Sequence, residues 1–501
     1  MYKRNHLSKS QSRYEIWSVL RLLKGATWLS ILLLPLLFGH SALAAGAGAP
    51  HFDGASLPLI WAIPFVGILL SIAIFPLVLP HFWHSHFGKI SAFWALSLLI
   101  PFLIMLGVSV TLYEILHVLF LEYIPFILLL MALFTITGGI RLTGALVGTP
   151  VLNLGFLILG TVLASWMGTT GAAMLLIHPL LKANQGRRYQ VHSVVFFIFL
   201  VANIGGSLTP IGDPPLFLGF LKGVNFFWTT EHMLLPMLVT AGLLLVIYFI
   251  LESLLYRKET DFIANRQNQA LDEKSDEKLG LTGSVNFLLL AGVIGLVLLS
   301  GFWKPDMHVT IYYVPVELQN IVRDVGLVML AILSWKLTDK QERTLNGFTW
   351  FPIVEVAKLF AGIFITIIPV IAILKSGLDG SLADVVRLVS TEQGEPNNLM
   401  YFWVTGILSS FLDNAPTYLV FFNTAGGDAA HLMGPLADTL LAISMGAVFM
   451  GANTYIGNAP NFMVRSIAVE RGVKMPSFFG YMLWSVVILT PIFILVSFIW
   501  L

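Results

Sequence analysis

Two acidic residues stand in stretches of the chain that are otherwise apolar. Asp213 directly follows the run 206–212, and Asp413 directly follows the run 409–412. A carboxylate at membrane depth is energetically costly and usually marks the path of an ion or a proton. Such a group can bind Na+ when it is ionised and release it when it is protonated, so one side chain can couple the two ions. For Asp213, which precedes Pro214, helix capping is the alternative.

The residues around these acids are rich in hydroxyl groups, amides and glycine. Irregular backbone at this depth is tolerated where it lines a cavity or is buried in protein. Its carbonyls and hydroxyls can replace the water around Na+, and helix N-termini favour an anionic group. Close helix packing is the alternative role for such small residues. We predict an ion or substrate site formed by Ser165, Gly168, Thr169, Thr170, Asn203, Ser207, Thr209, Gly212, Asp213, Ser409, Ser410, Asp413, Asn414, Thr417, Asn453, Thr454 and Asn458. The candidate Na+ ligands among them are Asp213, Asp413 and Asn414.

An internal repeat relates the polar segments. A shift of 245 residues places Gly168 on Asp413 and Asp213 on Asn458, and the neighbouring residues align without a gap. A single offset shared by two separate motifs is hard to obtain by chance. Each repeat then contains three helices, a re-entrant hairpin, a broken helix and a closing helix. We predict that the two repeats have inverted topology, as in many secondary transporters.

The elements that position these residues are apolar helices. The chain has 501 residues, of which 57% are hydrophobic and 11% charged, against about 25% charged in soluble domains. Apolar runs of about 20 residues match the thickness of the hydrocarbon layer. The sequence therefore predicts an all-α polytopic membrane protein. We expect helices at 57–80, 91–109, 121–140, 232–252, 283–302, 319–336, 351–376 and 478–500, hairpins at 147–181 and 398–424, and broken helices at 191–221 and 435–462.

The N-terminal segment has the features of a bacterial secretory signal. Arg21 and Lys24 precede the apolar run 26–38, and Ala42 and Ala44 stand at the positions of a small-residue cleavage site. An uncleaved additional helix is the alternative. We predict a signal peptide over 1–45, a first transporter repeat over 57–252, a cytoplasmic linker over 253–282 and a second, inverted repeat over 283–500.

The placement of Lys and Arg orients the chain. The loop 182–190 carries Lys182, Arg187 and Arg188, and it falls on the cytoplasmic side only if the two hairpins return to the side that they entered from. We therefore predict a multi-pass protein of the bacterial inner (cytoplasmic) membrane. The net charge of +1 gives no reason to expect a nucleic acid partner. The chain has no cysteine, which excludes disulfides and thiol catalysis.

The motif residues resemble a known group of transporters. The run 202–213 (Ala-Asn-Ile-Gly-Gly-Ser-Leu-Thr-Pro-Ile-Gly-Asp) resembles the signature of NhaD-type sodium/proton antiporters, and the run 409–416 (Ser-Ser-Phe-Leu-Asp-Asn-Ala-Pro) is similar to the same group. These antiporters belong to the ion transporter superfamily, with arsenite permeases, citrate transporters and divalent-anion/sodium symporters.

The resemblance implies a scaffold with two hairpins, a site between the hairpin tips and the broken helices, homodimers and elevator-like motion. Asn203, Asp213, Ser409 and Asn414 match positions that matter in the antiporters. Gly168-Thr169 stands where those antiporters are expected to carry an acidic pair, and Gly168-Thr169-Thr170 resembles the Ser-Asn-Thr tips of the anion symporters.

Three functions remain open at this point. The main prediction is a sodium/proton antiporter, supported by two acids and no basic residue in the four breaks. The alternative is a cation-coupled citrate or dicarboxylate transporter. A membrane enzyme is the third possibility, but the sequence offers it no nucleophile–base pair and no metal set. We expect no cofactor beyond Na+ and H+ as transported or coupling ions. The expected partners are the lipid bilayer, a small ion or carboxylate, and a second copy of the chain.

The orientation can be tested by labelling. Cysteines introduced at Gln185 and Gln267 should react with an impermeant reagent only from the cytoplasmic side, and one introduced at Gly427 only from outside. The absence of native cysteine makes each label unique. Labelling of position 185 from outside would contradict both the hairpins and the inverted repeat.

Overall fold

The protein is an all-α polytopic membrane protein, as predicted. The computed structural model describes residues 48–144, 146–259 and 280–501. Within them, eight helices are long and apolar enough to cross a membrane, or nine if a pair bent by 42° counts as one span. Large apolar side chains such as Ile104 and Phe498 are 77% and 79% exposed, as expected where lipid covers the surface. The predicted signal peptide lies outside the described residues, and so does most of the linker.

The first part of the chain contains helices and one short strand. Up to residue 259 the elements are α1 (Ile63–Val78), α2 (Pro80–Val118), α3 (Ile124–Thr137), β1 (Arg141–Thr143), α4 (Pro150–Met167), α5 (Thr169–Ala183), α6 (Val191–Leu200), α7 (Pro214–Leu221) and α8 (Trp228–Arg257). The sequence predicts separate helices at 91–109 and 121–140. The structure also divides this stretch: Gly107, with φ at 80° and ψ at 171°, separates two helices at a kink, close to the predicted end at 109. Beyond the kink the chain is helical up to Thr137, so the second helix begins earlier than predicted.

The second part of the chain is also mainly helical. Its elements are β2 (Gly280–Thr282), α9 (Val285–Phe302), β3 (His308–Ile311), β4 (Val314–Glu317), α10 (Leu318–Leu337), α11 (Lys340–Leu345), α12 (Phe351–Thr366), α13 (Ile368–Lys375), α14 (Ala383–Leu388), α15 (Asn398–Phe411), α16 (Asn414–Thr424), α17 (Ala429–Met433), α18 (Ala437–Met450), α19 (Ala459–Glu470) and α20 (Phe478–Trp500). β1 pairs with β2, and β3 with β4, both antiparallel.

The four predicted breaks are present. Gly168 alone joins α4 to α5, with φ at 80° and ψ at 147°, a conformation that glycine adopts without steric cost. Leu412 and Asp413 join α15 to α16. The two broken helices are interrupted between α6 and α7 and between α18 and α19. Each second half begins with proline at one of its first two positions, where the missing amide hydrogen costs nothing.

Packing brings each hairpin onto the broken helix of the other half. α5 of the first hairpin packs on α19, and α16 of the second hairpin packs on α7. Elsewhere α3 packs on α9 and α10, and α2 packs on α1 and α12. The two cross-pairings place the starts of four short helices near one another.

A buried ionic network fixes the base of the first hairpin to α8. Glu252 is fully buried and accepts hydrogen bonds from Arg187 (Nη1 to Oε1, 2.5 Å) and Asn153 (2.8 Å), and it contacts Nε2 of His192 (2.5 Å). Arg187 also donates to Glu259 (3.0 Å). Because these residues come from α4, the loop after α5, α6 and α8, the network ties these segments into one unit.

The network predicts that two Glu→Gln variants differ clearly in stability. Glu252→Gln removes one charge from a buried pair, so it should destabilise the protein by about 3 kcal/mol or more. The control is Glu342→Gln, because Glu342 pairs with Arg141 with both side chains partly exposed. The hydrogen bond from Arg141 lowers the pKa of Glu342, yet such pairs contribute only about 0–1 kcal/mol. The apparent melting temperature of each variant in detergent measures its loss of stability. Equal decreases for the two variants would contradict the role of the network.

Candidate functional site

Four helix starts meet at the centre of the protein. α5 begins at Thr169, α7 at Pro214, α16 at Asn414 and α19 at Ala459. Each start leaves backbone amide groups unpaired and carries the positive end of a helix dipole. In an apolar surrounding such a point stabilises negative charge, whether it comes from the protein or from a ligand.

The acidic group at this point is the carboxyl group of Asp213. The residue is 1% exposed and accepts hydrogen bonds from three side chains. Asn414 Nδ2 lies 2.6 Å from Oδ2, while Asn458 Nδ2 and Thr169 Oγ1 lie 3.0 Å and 3.2 Å from Oδ1. Since the donors come from both hairpin tips and from the second broken helix, this one carboxylate joins all four breaks.

The same residue offset that defines the repeat relates the contacts. Asp213 bonds directly to Asn458, its partner at a separation of 245, and Thr169 and Asn414, its other two donors, are separated by the same number. Equivalent bonds occur in both halves: Ser165 Oγ to Gly205 O and Ser410 Oγ to Met450 O, and Thr209 Oγ1 to Ser165 O and Thr454 Oγ1 to Ser410 O. The two halves therefore build their breaks with the same bonds.

The two acids have different surroundings. Asp213 stands at the N-cap position of α7, but its side chain makes no capping hydrogen bond. Asp413 does cap α16, since Oδ1 accepts from the amide of Ala415 at 3.1 Å. Asp413 is partly exposed and close enough for electrostatic repulsion of the Asp213 carboxylate. The capping alternative considered for Asp213 thus applies to Asp413 instead.

Two further amide side chains extend the polar centre. Asn203 is among the predicted site residues, and Asn461 is not. Asn203 accepts from Asn458 (3.3 Å) and donates to Oδ1 of Asn461 (2.7 Å). Asn461 also donates to the carbonyls of Gly451 and Thr454. Asn461 is fully buried and was not predicted. Its position three residues after Asn458, on the same face of the helix, is the sequence signal that could have indicated it.

Two amide oxygens of the breaks have no partner in the described part of the chain, and one of them belongs to Asn414, whose Nδ2 donates to Asp213. Among the described residues, Oδ1 of Asn414 and Oδ1 of Asn453 are buried and accept no hydrogen bond. An unpaired buried acceptor is costly, and a hard cation that takes oxygen ligands would satisfy it. The described residues contain no group of three or more His, Cys, Asp or Glu side chains that could hold a metal. Among the described residues, the oxygen atoms available to a cation here are therefore those of Asp213 and Asn414.

Most of the other predicted residues maintain the backbone of the breaks. The hydroxyls of Ser165, Ser207, Thr209, Ser409, Ser410, Thr417 and Thr454 all donate to main-chain carbonyls. At Gly212 a Cβ atom would lie 2.2 Å from the carbonyl oxygen of Gly206, so only glycine fits there. Thr170 is partly exposed in the first turn of α5, where a ligand can reach it.

One basic residue lies on α19 about two turns after the polar centre and was not among the predicted site residues. Arg465 follows Asn458 and Asn461 on one face of α19, about 10 Å beyond the helix start. Its guanidinium carbon lies 4.9 Å from the ring centre of Tyr455, and its Nε is buried without a partner among the described residues. The prediction counted basic residues only inside the breaks, whereas Arg465 lies in the regular helix after one.

The chain is similar to known transporter sequences. The matching family model is described as "Putative citrate transport" and covers residues 54–501. The chain belongs to this family. Uncharacterized transporters of Mycobacterium tuberculosis and Mycobacterium bovis are each 26% identical over 371 residues, which is 70% of this chain and 79% of theirs. A 46 kDa membrane protein of Mycobacterium leprae is 24% identical over 336 residues, 66% of this chain and 72% of its own.

Membership of the citrate transport family decides between the classes of function. The protein is a membrane transporter and not an enzyme, which removes the third of the three hypotheses. Resemblance to a transporter family is confirmed, and the family description favours the carboxylate alternative over sodium/proton antiport. The closer resemblance to antiporters and arsenite permeases stays a prediction.

The geometry predicts that the charge of Asp213, more than its shape, matters for transport. Asp213→Asn should reduce transport at least about 100-fold, because it removes the one fully buried carboxylate of the centre. The double variant Asp213→Asn with Asn458→Asp moves the charge across a single 3.0 Å hydrogen bond and should restore part of the activity. Uptake into proteoliposomes measures both. The control is Glu342→Gln, which removes a partly exposed carboxylate outside the breaks and should leave transport unchanged. A double variant as inactive as the single one would contradict this view.

Proposed function

We propose that the protein is a cation-coupled transporter of citrate or a related small carboxylate, with the cation, Na+ or H+, held at Asp213. The observation that carries the proposal is the buried Asp213 carboxylate at the meeting point of four helix starts, in a chain of the citrate transport family. Neither feature alone would suffice. A lone buried acid fits any cation carrier, and the family description alone says nothing about coupling.

Electrostatics supports obligatory coupling at this centre. Citrate carries up to three negative charges, and the site already contains Asp213 and the nearby Asp413. Two like charges 6 Å apart repel by about 3 kcal/mol at an effective dielectric constant of 20, a factor of about 100 in affinity. Na+ or a proton at Asp213 cancels one charge, so the anion binds well only after the cation. Because such coupling is reciprocal, bound anion also raises the affinity for the cation by the same factor.

Groups that favour a carboxylate ligand also lie near the centre. The amides at the start of α5 lack a side-chain cap, because the N-cap residue is Gly168, and Thr170 offers a hydroxyl beside them. Arg465 supplies a fixed positive charge on the side of Tyr455. We propose that the substrate's carboxylates bind to the α5 start and to Arg465, with the cation between them and Asp213.

Sodium/proton antiport remains the second candidate function. It is favoured by the proximity of Asp213 and Asp413 and by the unpaired amide oxygen of Asn414, which suit a cation without any anion. Both candidates use the same ions and need no further cofactor. For either one we propose two repeats of inverted topology, location in the bacterial inner membrane, and a homodimer, the last from the resemblance alone.

A transport assay separates the two candidates. Purified protein in proteoliposomes should take up radiolabelled citrate when a Na+ or proton gradient points inward, with an apparent affinity about 100-fold weaker without the coupling cation. Asp213→Asn serves as the inactive control. If Na+ added to acid-loaded everted vesicles instead dissipates the pH gradient with no organic anion present, and citrate is not taken up, antiport is the function.

A further inference from the structure

An ion pair with little exposure lies at the far end of α7 from Asp213. α7 begins directly after Asp213 and ends directly before Lys222. Nζ of Lys222 lies 2.5 Å from Oε1 of Glu122, and the two side chains are 20% and 5% exposed. With a rise of about 1.5 Å per residue, the helix places Lys222 about 13 Å from the acid of the central site.

Glu122 belongs to a different part of the fold. It lies in a π-helical segment, Leu119–Tyr123, between α2 and α3, and such segments are rare and frequent at functional sites. This segment and α3 pack on α12, whereas α7 packs on α16 of the second hairpin. The ion pair therefore joins the short helix of the central site to helices that contribute no residue to that site.

The carboxyl group of Glu122 is bonded less completely than that of Glu252, although both are buried. Both oxygens of Glu252 have hydrogen-bond partners, from three side chains in all. Oε1 of Glu122 accepts from Lys222, but its Oε2 is buried without a partner among the described residues. A buried oxygen without a partner destabilises the arrangement that contains it. The pair at Glu122 is thus the easier of the two to break.

The pair lies on the face predicted to be outside. Lys375 packs against Gly427 and is close enough to Lys222 and Glu122 for electrostatic interaction, as are Glu114 and His117. A lysine at the end of α7 could serve only to offset the helix dipole. That role explains Lys222, but it does not require a buried acid from another part of the fold to meet it.

We propose that the ion pair of Glu122 and Lys222 closes the central site toward the outer face and opens once in each transport cycle. A transporter exposes its site to the two sides of the membrane in turn, so the contacts that close one side must break. An incompletely bonded pair between α7 and the π-helical segment is suited to this, because it holds without being permanent. The proposal uses only the transporter class, so it applies to both candidate functions.

Labelling at the central site tests the closure without a transport substrate. Thr170 is partly exposed at the start of α5, so Thr170→Cys supplies a single thiol in a chain without cysteine. In right-side-out vesicles an impermeant methanethiosulfonate should label this thiol about fivefold faster when Glu122→Gln or Lys222→Gln is added, since loss of the pair favours the outward-open state. The two variants change the local charge in opposite directions, so both should act alike with cationic and anionic reagents.

Labelling from the cytoplasmic side separates opening from general loosening. In everted vesicles both variants should label no faster than the parent, because the outward-open state gains population at the expense of the other. The exchanged pair, Glu122→Lys with Lys222→Glu, should bring the rate from outside back toward that of the parent. Faster labelling from both sides would indicate a loosened structure, and an unchanged rate from outside would indicate a purely structural pair. Either result would overturn the proposal.

An exposed ion pair of the predicted outer face provides the matched control. Arg387 lies 2.9 Å from Asp384, and their side chains are 66% and 95% exposed. Asp384→Asn should therefore change the labelling of Thr170→Cys from neither side. If Asp384→Asn accelerates labelling from outside as much as Glu122→Gln does, the effect belongs to any loss of charge on this face, and the closure assigned to Glu122 and Lys222 is wrong.

Discussion

The arrangement of the whole protein depends on one buried carboxylate that needs donors from several directions. Asp213 is 1% exposed, so its polar carboxyl group depends on the donors Thr169, Asn414 and Asn458. Those donors lie on three separate segments, and each must be brought to the same point at membrane depth. The breaks, the hairpins and their cross-packing can all be understood as the means of satisfying this one group.

Rigid supports lie at some distance from this centre. The first hairpin is held at its base by the network around Glu252, and its tip is a single residue, Gly168. Ionic interactions thus hold the hairpin where it joins α8, while its tip is held by neutral hydrogen bonds. The proposed function would require this distribution, since a tip as firmly bonded as the base could not release an ion in each cycle.

The sequence was sufficient for the fold class and for the positions of the four breaks, while the role of the residues in those breaks stays a prediction. Membrane spans depend on length and hydropathy, and the breaks on Gly, Pro and Asn, all of which are local signals. The different surroundings of Asp213 and Asp413 could not be predicted, because both stand before a helix start and only tertiary contacts show which side chain caps. Arg465 and Asn461 were missed since each lies in a regular helix, and their orientation depends on packing. The carboxylate family was an alternative and not the main prediction, because a charge count within the breaks ignores charges two turns away.

The hydrogen bond between positions 213 and 458 joins an acid to an amide of the same shape. Two carboxylates at this distance could not both be ionised and would have to share a proton. Asn458 supplies permanently the hydrogen that a protonated acid would supply only at low pH. Asn458 therefore does not titrate, and Asp213 is the residue of the pair whose charge can change. Under the proposed function, this pair would then exchange at most one monovalent ion per chain in a cycle.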